Sequence, residues 1–472
     1  MNHRSSKLTS TFFFSLLLLS SATSAVVVVS GSNNNNNNKA ALLASSTRKL
    51  SSTAAISSFA FSPEGVAIGT FGEHLFSWNP QQQMEDYITN HYEFGNARNE
   101  GDVWSIDLMT KTQIQTQTTT YNSSSSEQQQ QQQQVLAVGR RSSSNIADVS
   151  IYQWNITNSS SSSPTLLKWL TGHSYAAYDA INTDGLSFYQ LKFSPDQKWL
   201  VCGMSDRLRT IVLFWNTTDW SLRQTLKVPY PISHMVFNDD ASQFAVATAK
   251  VSAASADEEV LEVWQQNTNN NEQTNHEEKE EFWSPFATLL NDSHYHRINS
   301  IVYLSNDEIL IAGSGSASRP PSLQSWNTQT TNAPLQTVLS DEACDQVDSI
   351  ALHPSSRNSN SNTIVALGCT EKDSPTIQLW DFTQNKLLHT LTEDAFQFST
   401  MEQVTFSPST ADDESSSSLW AVIDGNELYV WNTTSYLTEA ASVLPSLSST
   451  TTTTTSLRQQ QRRRLRRKTN RG

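Results

Sequence analysis

Seven short strand-like runs of mostly apolar residues recur along this chain, and each one ends in a tryptophan. The tryptophans are Trp78, Trp154, Trp215, Trp264, Trp326, Trp380 and Trp431. The residue after each tryptophan is Asn, Gln or Asp, which favours a turn at that point. The aliphatic residues three positions before each tryptophan are Leu75, Ile151, Val212, Leu261, Leu323, Ile377 and Leu428. A strand pattern that returns along the whole chain indicates a repeat architecture.

The third repeat shows the pattern of one unit most clearly. Strands are predicted over residues 186–193, 199–203, 211–215 and 222–228, and Ser194-Pro195-Asp196 supplies the first turn. The second of these strands ends in small residues, as it does in other repeats. Four short strands in sequence order predict an antiparallel meander.

With seven such units, the chain resembles the WD40 family of β-propellers over roughly residues 58–437. The resemblance implies an all-β fold, a seven-bladed WD40-like β-propeller with four antiparallel strands in each blade. Low-complexity loop insertions lengthen the units. The family's Gly-His dipeptide occurs once, at Gly172-His173, and its Trp-Asp dipeptide once, at Trp380-Asp381. The resemblance also implies that His173, Asp206 and Trp215 form a hydrogen-bonded cluster that braces one blade.

The predicted domain organisation places the propeller at residues 53–445, between a low-complexity linker at 26–52 and a disordered Ser/Thr-rich, basic tail at 446–472. Either terminus can supply the outer strand of the last blade. A segment at 48–54 would close the ring from the N-terminal side, and one at 436–444 would close it from the C-terminal side.

The N-terminal residues 1–25 have the pattern of a secretory signal peptide. Arg4 and Lys7 precede an apolar run at 12–19, and small residues follow at 22–25. The pattern predicts entry into the secretory pathway. Two alternatives remain. The first is an uncleaved signal anchor, which would tether the chain to a membrane. The second is an organelle reached through a transit segment behind the signal peptide, because such segments lack acidic residues and none precedes Glu64.

Cysteine and charge limit the function classes. Cys202, Cys344 and Cys369 have no spacing typical of a metal or redox site, and we expect Cys202 and Cys369 to be buried as small apolar residues. The net charge is -14 although the last residues are strongly basic. An acidic body argues against nucleic acid as a partner, except through the basic tail.

No catalytic, cofactor or metal motif stands out. The ten histidines show no metal-ligand spacing, and no nucleophile elbow or phosphate loop occurs. We therefore expect a non-enzyme without cofactor or metal.

The low-complexity tracts suggest which face of a propeller binds a partner. The tracts at 113–134, 158–163, 267–281, 355–362 and 409–418 follow predicted first or third strands, whose connections share one face. We therefore predict that a protein or peptide binds the opposite face, which carries the second-to-third-strand and blade-to-blade loops. Candidate contact residues there are Tyr175, Tyr178, Arg140, Arg141, Arg207, Arg209 and Arg319. The predicted function is a non-catalytic interaction scaffold. The alternative is a secreted propeller enzyme or small-ligand binder that uses the channel mouth.

Overall fold

The structure is a computed structural model of the 472-residue chain. It describes residues 48–51, 56–62, 66–71, 74–78, 90–93, 101–114, 130–142, 147–154, 156–157, 160–161, 164–170, 187–205, 210–228, 230–249, 259–267, 282–290, 297–314, 323–330, 336–338, 344, 346–357, 362–370, 375–392, 401–408, 417–423 and 427–433.

These residues form seven antiparallel sheets arranged as the blades of a propeller, as the sequence predicted. Blade 1 contains β2 (Ile56–Phe61), β3 (Ala67–Phe71), β4 (His74–Trp78) and β5 (Asn90–Glu93). Blade 2 contains β6 (Gly101–Ile114), β7 (Gln130–Ser142), β8 (Ala147–Trp154) and β11 (Thr165–Trp169), with a small hairpin of β9 (Ile156–Thr157) and β10 (Ser160–Ser161). Blade 3 contains β12 (Ser187–Phe193), β13 (Trp199–Ser205), β14 (Thr210–Asn216) and β15 (Leu222–Val228).

The remaining blades repeat this order. Blade 4 contains β16 (Ile232–Phe237), β17 (Gln243–Ala249), β18 (Glu259–Gln266) and β19 (Trp283–Leu290). Blade 5 contains β20 (Arg297–Ser305), β21 (Glu308–Ser314), β22 (Leu323–Asn327) and β23 (Gln336–Val338). Blade 6 contains β24 (Gln346–Leu352), a 3-10 turn (Pro354–Arg357), β25 (Ile364–Thr370), β26 (Pro375–Asp381) and β27 (Lys386–Leu391). Blade 7 contains β28 (Met401–Phe406), β29 (Ser418–Ile423), β30 (Glu427–Asn432) and β1 (Arg48–Ser51).

The hydrophobic core consists of seven clusters, and each cluster joins one blade to the next. The repeated residues of the third strands explain this arrangement. Side chains three positions apart on a strand point to opposite faces of the sheet. Each tryptophan whose side chain is described therefore packs toward the preceding blade, and the aliphatic residue before it packs toward the following one. All seven aliphatic residues are 4% exposed or less.

In three blades the polar residue after the tryptophan caps the turn to the fourth strand. The Asn216 Oδ1 accepts the Thr218 N–H at 2.8 Å, and the Asn327 Oδ1 accepts the Gln329 N–H at 2.8 Å. In blade 6 the Asp381 Oδ1 accepts the Gln384 N–H at 2.9 Å. An amide oxygen and a carboxylate oxygen thus both accept a backbone N–H of the turn, so either residue type can stabilise it.

Small residues on the second strands allow neighbouring blades to approach closely. A Cβ on Gly203 would lie 2.8 Å from Ile232 Cδ1 of the next blade. A Cβ on Gly368 would lie 2.7 Å from Met401 Cγ, again in the next blade. These contacts give a packing reason for the small residues seen in the sequence.

The N-terminal strand closes the ring. Strand β1 pairs antiparallel with β30, and Leu50 lies opposite Leu428. Phe61 of blade 1 also packs edge-to-face on Trp420 of blade 7, with ring centroids 5.0 Å apart. Of the two alternatives for closure, the structure shows the N-terminal one. The predicted start of the propeller at residue 53 is therefore too late, because β1 belongs to the last blade. Residues 434–445 lie outside the described part.

Removing β1 should destabilise the propeller. We expect a chain that begins at Ser52 to lose on the order of 2–4 kcal/mol relative to one that begins at Val26, because β30 loses its partner strand and each ladder hydrogen bond contributes about 1 kcal/mol. Urea unfolding of both chains measures the difference, and limited proteolysis should cut the shorter chain faster. Equal stability of the two chains would contradict closure by β1.

The five low-complexity tracts all connect first to second or third to fourth strands, so they share one face, the tract face. The other face, where the first strands begin, is the entry face. One tract is not wholly the loop insertion that the sequence predicted. Gln130–Gln134 continues β7 and pairs with residues 110–114 of β6, because consecutive polar residues extend the hairpin ladder beyond the blade.

Cys344 and Cys369 form a disulfide. The pairing of β24 with β25 brings them together, since Val347 lies opposite Cys369. Cys369 is therefore buried, as predicted, but it is part of a disulfide instead of a separate apolar side chain. Cys202 is a buried free thiol, as expected. No helix within the described ranges is long and apolar enough to cross a membrane.

Candidate functional site: the central channel

A cavity of about 850 Å³ runs along the axis of the ring. Residues from the first strand of every blade line it, which identifies it as the central channel. Polar residues line the end at the entry face. Toward the tract face the wall becomes more apolar and includes Phe61, Leu352 and Phe406. Any ligand of the channel therefore meets a polar mouth first.

The seven first strands share a sequence motif that places their side chains. The motif has four positions. The first is apolar, the second varies in type, the third is Ser, Gln or His, and the fourth is apolar, as in Val103-Trp104-Ser105-Ile106. In every blade the pairing with the second strand shifts by one residue at the variable position. Such a bulge bends the strand and re-aims side chains, here toward the channel mouth.

The Ser or Gln of the motif links neighbouring blades. Its side-chain oxygen accepts a backbone N–H from the first strand of the next blade at five of the seven junctions within the described residues. The bonds are Ile106 N–H to Ser58 at 3.2 Å, Leu191 N–H to Ser105 at 2.9 Å, Met235 N–H to Gln190 at 2.7 Å, Ile350 N–H to Ser300 at 3.2 Å and Val404 N–H to Ser349 at 3.1 Å. These bonds fix the inner strands relative to one another, so the channel wall is preorganised.

Six of the seven variable residues of the motif line the channel at the entry face: Ser57, Trp104, Ser233, Asn299, Asp348 and Glu402. Trp104 is 39% exposed there, which is unusual for a tryptophan. Asp348 and Glu402 stand on blades 6 and 7. The Asp348 Oδ2 accepts the Thr370 hydroxyl at 2.5 Å, and Asn299 donates its amide to the Val347 carbonyl at 2.8 Å. The described residues of the mouth thus combine the exposed ring of Trp104 with acidic and amide groups.

The inner wall at blades 3 and 4 carries a different chemistry. Lys192 and His234 line the channel on adjacent blades. Burial, and then the nearby Lys192 ammonium, lower the pKa of His234 to about 4, so the imidazole is neutral at pH 7. Asp107 lies behind the wall, where its Oδ2 accepts the Phe193 N–H at 2.6 Å. Burial raises the pKa of Asp107 against the opposing effect of Lys192.

His353 lies outside the channel wall and braces blades 6 and 7. Its Nδ1 contacts the Ser355 Oγ at 2.7 Å, and its Nε2 contacts the Ser417 Oγ. Burial lowers the pKa of His353 to about 4, so the ring stays neutral between its two hydroxyl partners at pH 7. These contacts indicate a structural role.

Arg140 and Arg141 are the predicted contact residues that fall in the described part. Arg140 is 4% exposed. Its guanidinium donates to the Tyr152 hydroxyl at 2.8 Å and braces the end of blade 2 instead of facing solvent. Arg141 lies at the end of β7, and its side chain lies outside the described part. The other predicted contact residues also lie outside it: Tyr175, Tyr178, Arg207, Arg209 and Arg319.

The predicted bracing cluster is described only in part. His173 and Asp206 fall outside the described residues, and so does the side chain of Trp78. Trp154, Trp215, Trp326, Trp380 and Trp431 are buried, and Trp264 is half-buried. In two blades a glutamine two residues earlier accepts the indole N–H, Gln324 for Trp326 at 3.2 Å and Gln378 for Trp380 at 2.9 Å.

The channel residues were missed by sequence reasoning that followed the tryptophans. The signal was present in the seven first strands, where aligning the repeats on Ser58, Ser105, Ser300 and Ser349 reveals the shared motif. Within the described ranges, no group of three or more His, Cys, Asp or Glu residues is placed to hold a metal ion.

Comparison with models of known protein families finds no match, and comparison with curated proteins finds no relative. The seven-bladed propeller therefore stands on the structure, and membership of the WD40 family stays a prediction.

Proposed function

We propose that this protein is a non-catalytic interaction scaffold that binds a protein or peptide on its entry face. The observation that carries the proposal is the exposed ring of Trp104 at the channel mouth. Tryptophan is among the residues most enriched at the energetic centres of protein interfaces. The propeller fold supports the proposal, because such rings commonly present loops to protein partners.

The rigidity of the mouth also supports a docking role. The hydrogen bonds between first strands hold Trp104 and its neighbours in place before a partner arrives. A preorganised surface loses less conformational entropy on binding. The low-complexity tracts connect strands on the tract face, so they do not belong to the entry face.

Replacing Trp104 by alanine tests the proposal. We expect at least tenfold weaker capture of partners by proximity labelling and pull-down, since removal of an interface anchor costs about 2 kcal/mol or more. Trp169→Ala is the matched control, because Trp169 is also 39% exposed but lies on the outer strand of blade 2. Shortening the five tracts outside the strands, with Ser355 and Ser417 retained, should leave capture unchanged. Equal capture by the Trp104 and Trp169 variants would refute the proposal.

A small-ligand binder that uses the channel is the second candidate. Lys192, His234 and Glu402 bring ionisable groups from three blades to one cavity, which favours a ligand site there. A ligand that binds the channel without any effect of Trp104→Ala on its affinity would favour this candidate.

We also propose that the protein works in the secretory pathway, in a lumen or outside the cell. The Cys344–Cys369 disulfide supports this placement, because such bonds persist in oxidising compartments. N-terminal sequencing of the mature chain tests it and also distinguishes a cleaved signal peptide from a retained anchor.

A further inference from the structure

We propose that the inner channel binds a carboxylate group between Lys192, His234 and Gln190, on the walls of blades 3 and 4. If the carboxylate is the C-terminus of a partner peptide, this inference rests on the proposed function and deepens it. A free small carboxylate offers the same chemistry.

The three side chains present hydrogen-bond donors without matching acceptors. The side chain of Lys192 forms no ion pair and no hydrogen bond with any residue that the structure describes, although Asp107 is near enough to interact with its charge. The Oε1 of Gln190 already accepts the Met235 N–H at 2.7 Å, which leaves its amide N–H groups for the channel. Neutral His234 retains one ring N–H. A group that only accepts hydrogen bonds is the complement of such a wall.

The charge of the wall selects a monoanion. Lys192 is the one cation among the described residues that line the cavity. Asp107 lies behind this wall and offsets part of its charge, so a dianion such as phosphate would stay undercompensated. Asp348 and Glu402 at the mouth oppose the entry of any anion, and they oppose an extended polyanion more strongly than a ligand with one negative charge. A single carboxylate carried on an otherwise neutral or basic ligand satisfies both conditions.

The position of the wall favours a chain end over a side chain in mid-peptide. Lys192 follows the bulge of its strand and therefore lies deeper than the mouth residues. First strands of all seven blades enclose the cavity. A chain terminus can enter such a channel while the residues before it pass Trp104 at the mouth.

Two matched pools of N-acetylated tripeptides test the proposal, one with free C-terminal carboxylates and one with C-terminal amides. Each pool is incubated with the full chain, and the retained peptides are quantified by mass spectrometry. We expect the acids to be retained at least tenfold better than the amides. Equal retention of acids and amides by the unmodified protein would overturn the proposal.

Variants at Lys192 test whether this residue causes the preference for acids over amides. Lys192→Met should reduce the acid-to-amide ratio to about one, and Lys192→Arg should keep most of it. Lys198→Met is the matched control, since Lys198 is 69% exposed in the turn after β12, on the tract face, and pairs with Asp196 at 3.0 Å. Melting curves check that each variant folds. If Lys192→Met folds and keeps the full preference for acids over amides, the proposal is also overturned. If Lys192→Met does not fold, loss of this preference in Lys192→Arg or in the control Lys198→Met would overturn it.

Competition separates the two sources of the carboxylate. If benzoate displaces the acid peptides and benzamide does not, a free carboxylate is sufficient. If neither displaces them, the peptide chain is required.

The Trp104→Ala variant separates this inference from the proposed function. Partner capture that survives Trp104→Ala, together with an acid preference that depends on Lys192, would refute the docking role and support the carboxylate site.

Discussion

Replacing Trp431 by alanine is expected to lower the free energy of unfolding by about 3–5 kcal/mol. Trp431 is 1% exposed and belongs to the cluster that joins blades 6 and 7. Its ring stacks on Tyr429 with centroids 5.7 Å apart. Alanine would lose this buried apolar area and leave a cavity that the two rigid sheets cannot close.

Trp264 supplies the matched control for this prediction. It occupies the same position of the third strand in blade 4 but is only half-buried. We expect Trp264→Ala to cost about 1–2 kcal/mol, because less apolar area leaves water when this ring packs. Urea unfolding at one pH measures both variants. Equal losses would show that burial between blades does not set the contribution of these tryptophans.

Removing the disulfide by the double substitution Cys344→Ser and Cys369→Ser is expected to cost about 3 kcal/mol. The bond spans a sequence separation of 25, so it restricts a substantial loop in the unfolded chain. Both residues also lie in the apolar cluster between blades 5 and 6, where serine would bury a hydroxyl group. Urea unfolding with and without reductant provides the measurement.

Unfolding in the presence of reductant provides the control for the effect of the disulfide. We expect the wild-type chain to lose stability under reductant and the double variant to be indifferent to it. Cys202→Ala should retain the sensitivity of the wild type, because Cys202 is a free thiol in another cluster. A wild-type chain that shows no response to reductant would contradict the role of the bond.

The third strands could be read from the sequence because each carries its full pattern locally. Ile377 and Trp380, for example, lie on opposite faces of β26, and the two faces pack on different blades. Asp381 then forms the turn within three residues of the strand. Such short-range signals require no knowledge of the neighbours.

The candidate binding residues were harder to predict because exposure depends on the assembled ring. Arg140 looked like a loop cation, but it is buried against Tyr152. Trp104 was not singled out from the sequence, and the bulge in β6 turns it toward the channel mouth. Both outcomes depend on which strands become neighbours, and the alternation of apolar and polar residues does not contain that information.

The sequence by itself determined the repeat, the four-strand unit and the number of blades, because periodic apolar side chains must be buried on both faces of each sheet. Only the tertiary structure decided that β1 closes the ring, since a short polar strand has no distinctive pattern of its own. It also decided that Lys192 and His234 face one cavity. These residues come from separate repeats, and only the packing of seven sheets around one axis brings them together.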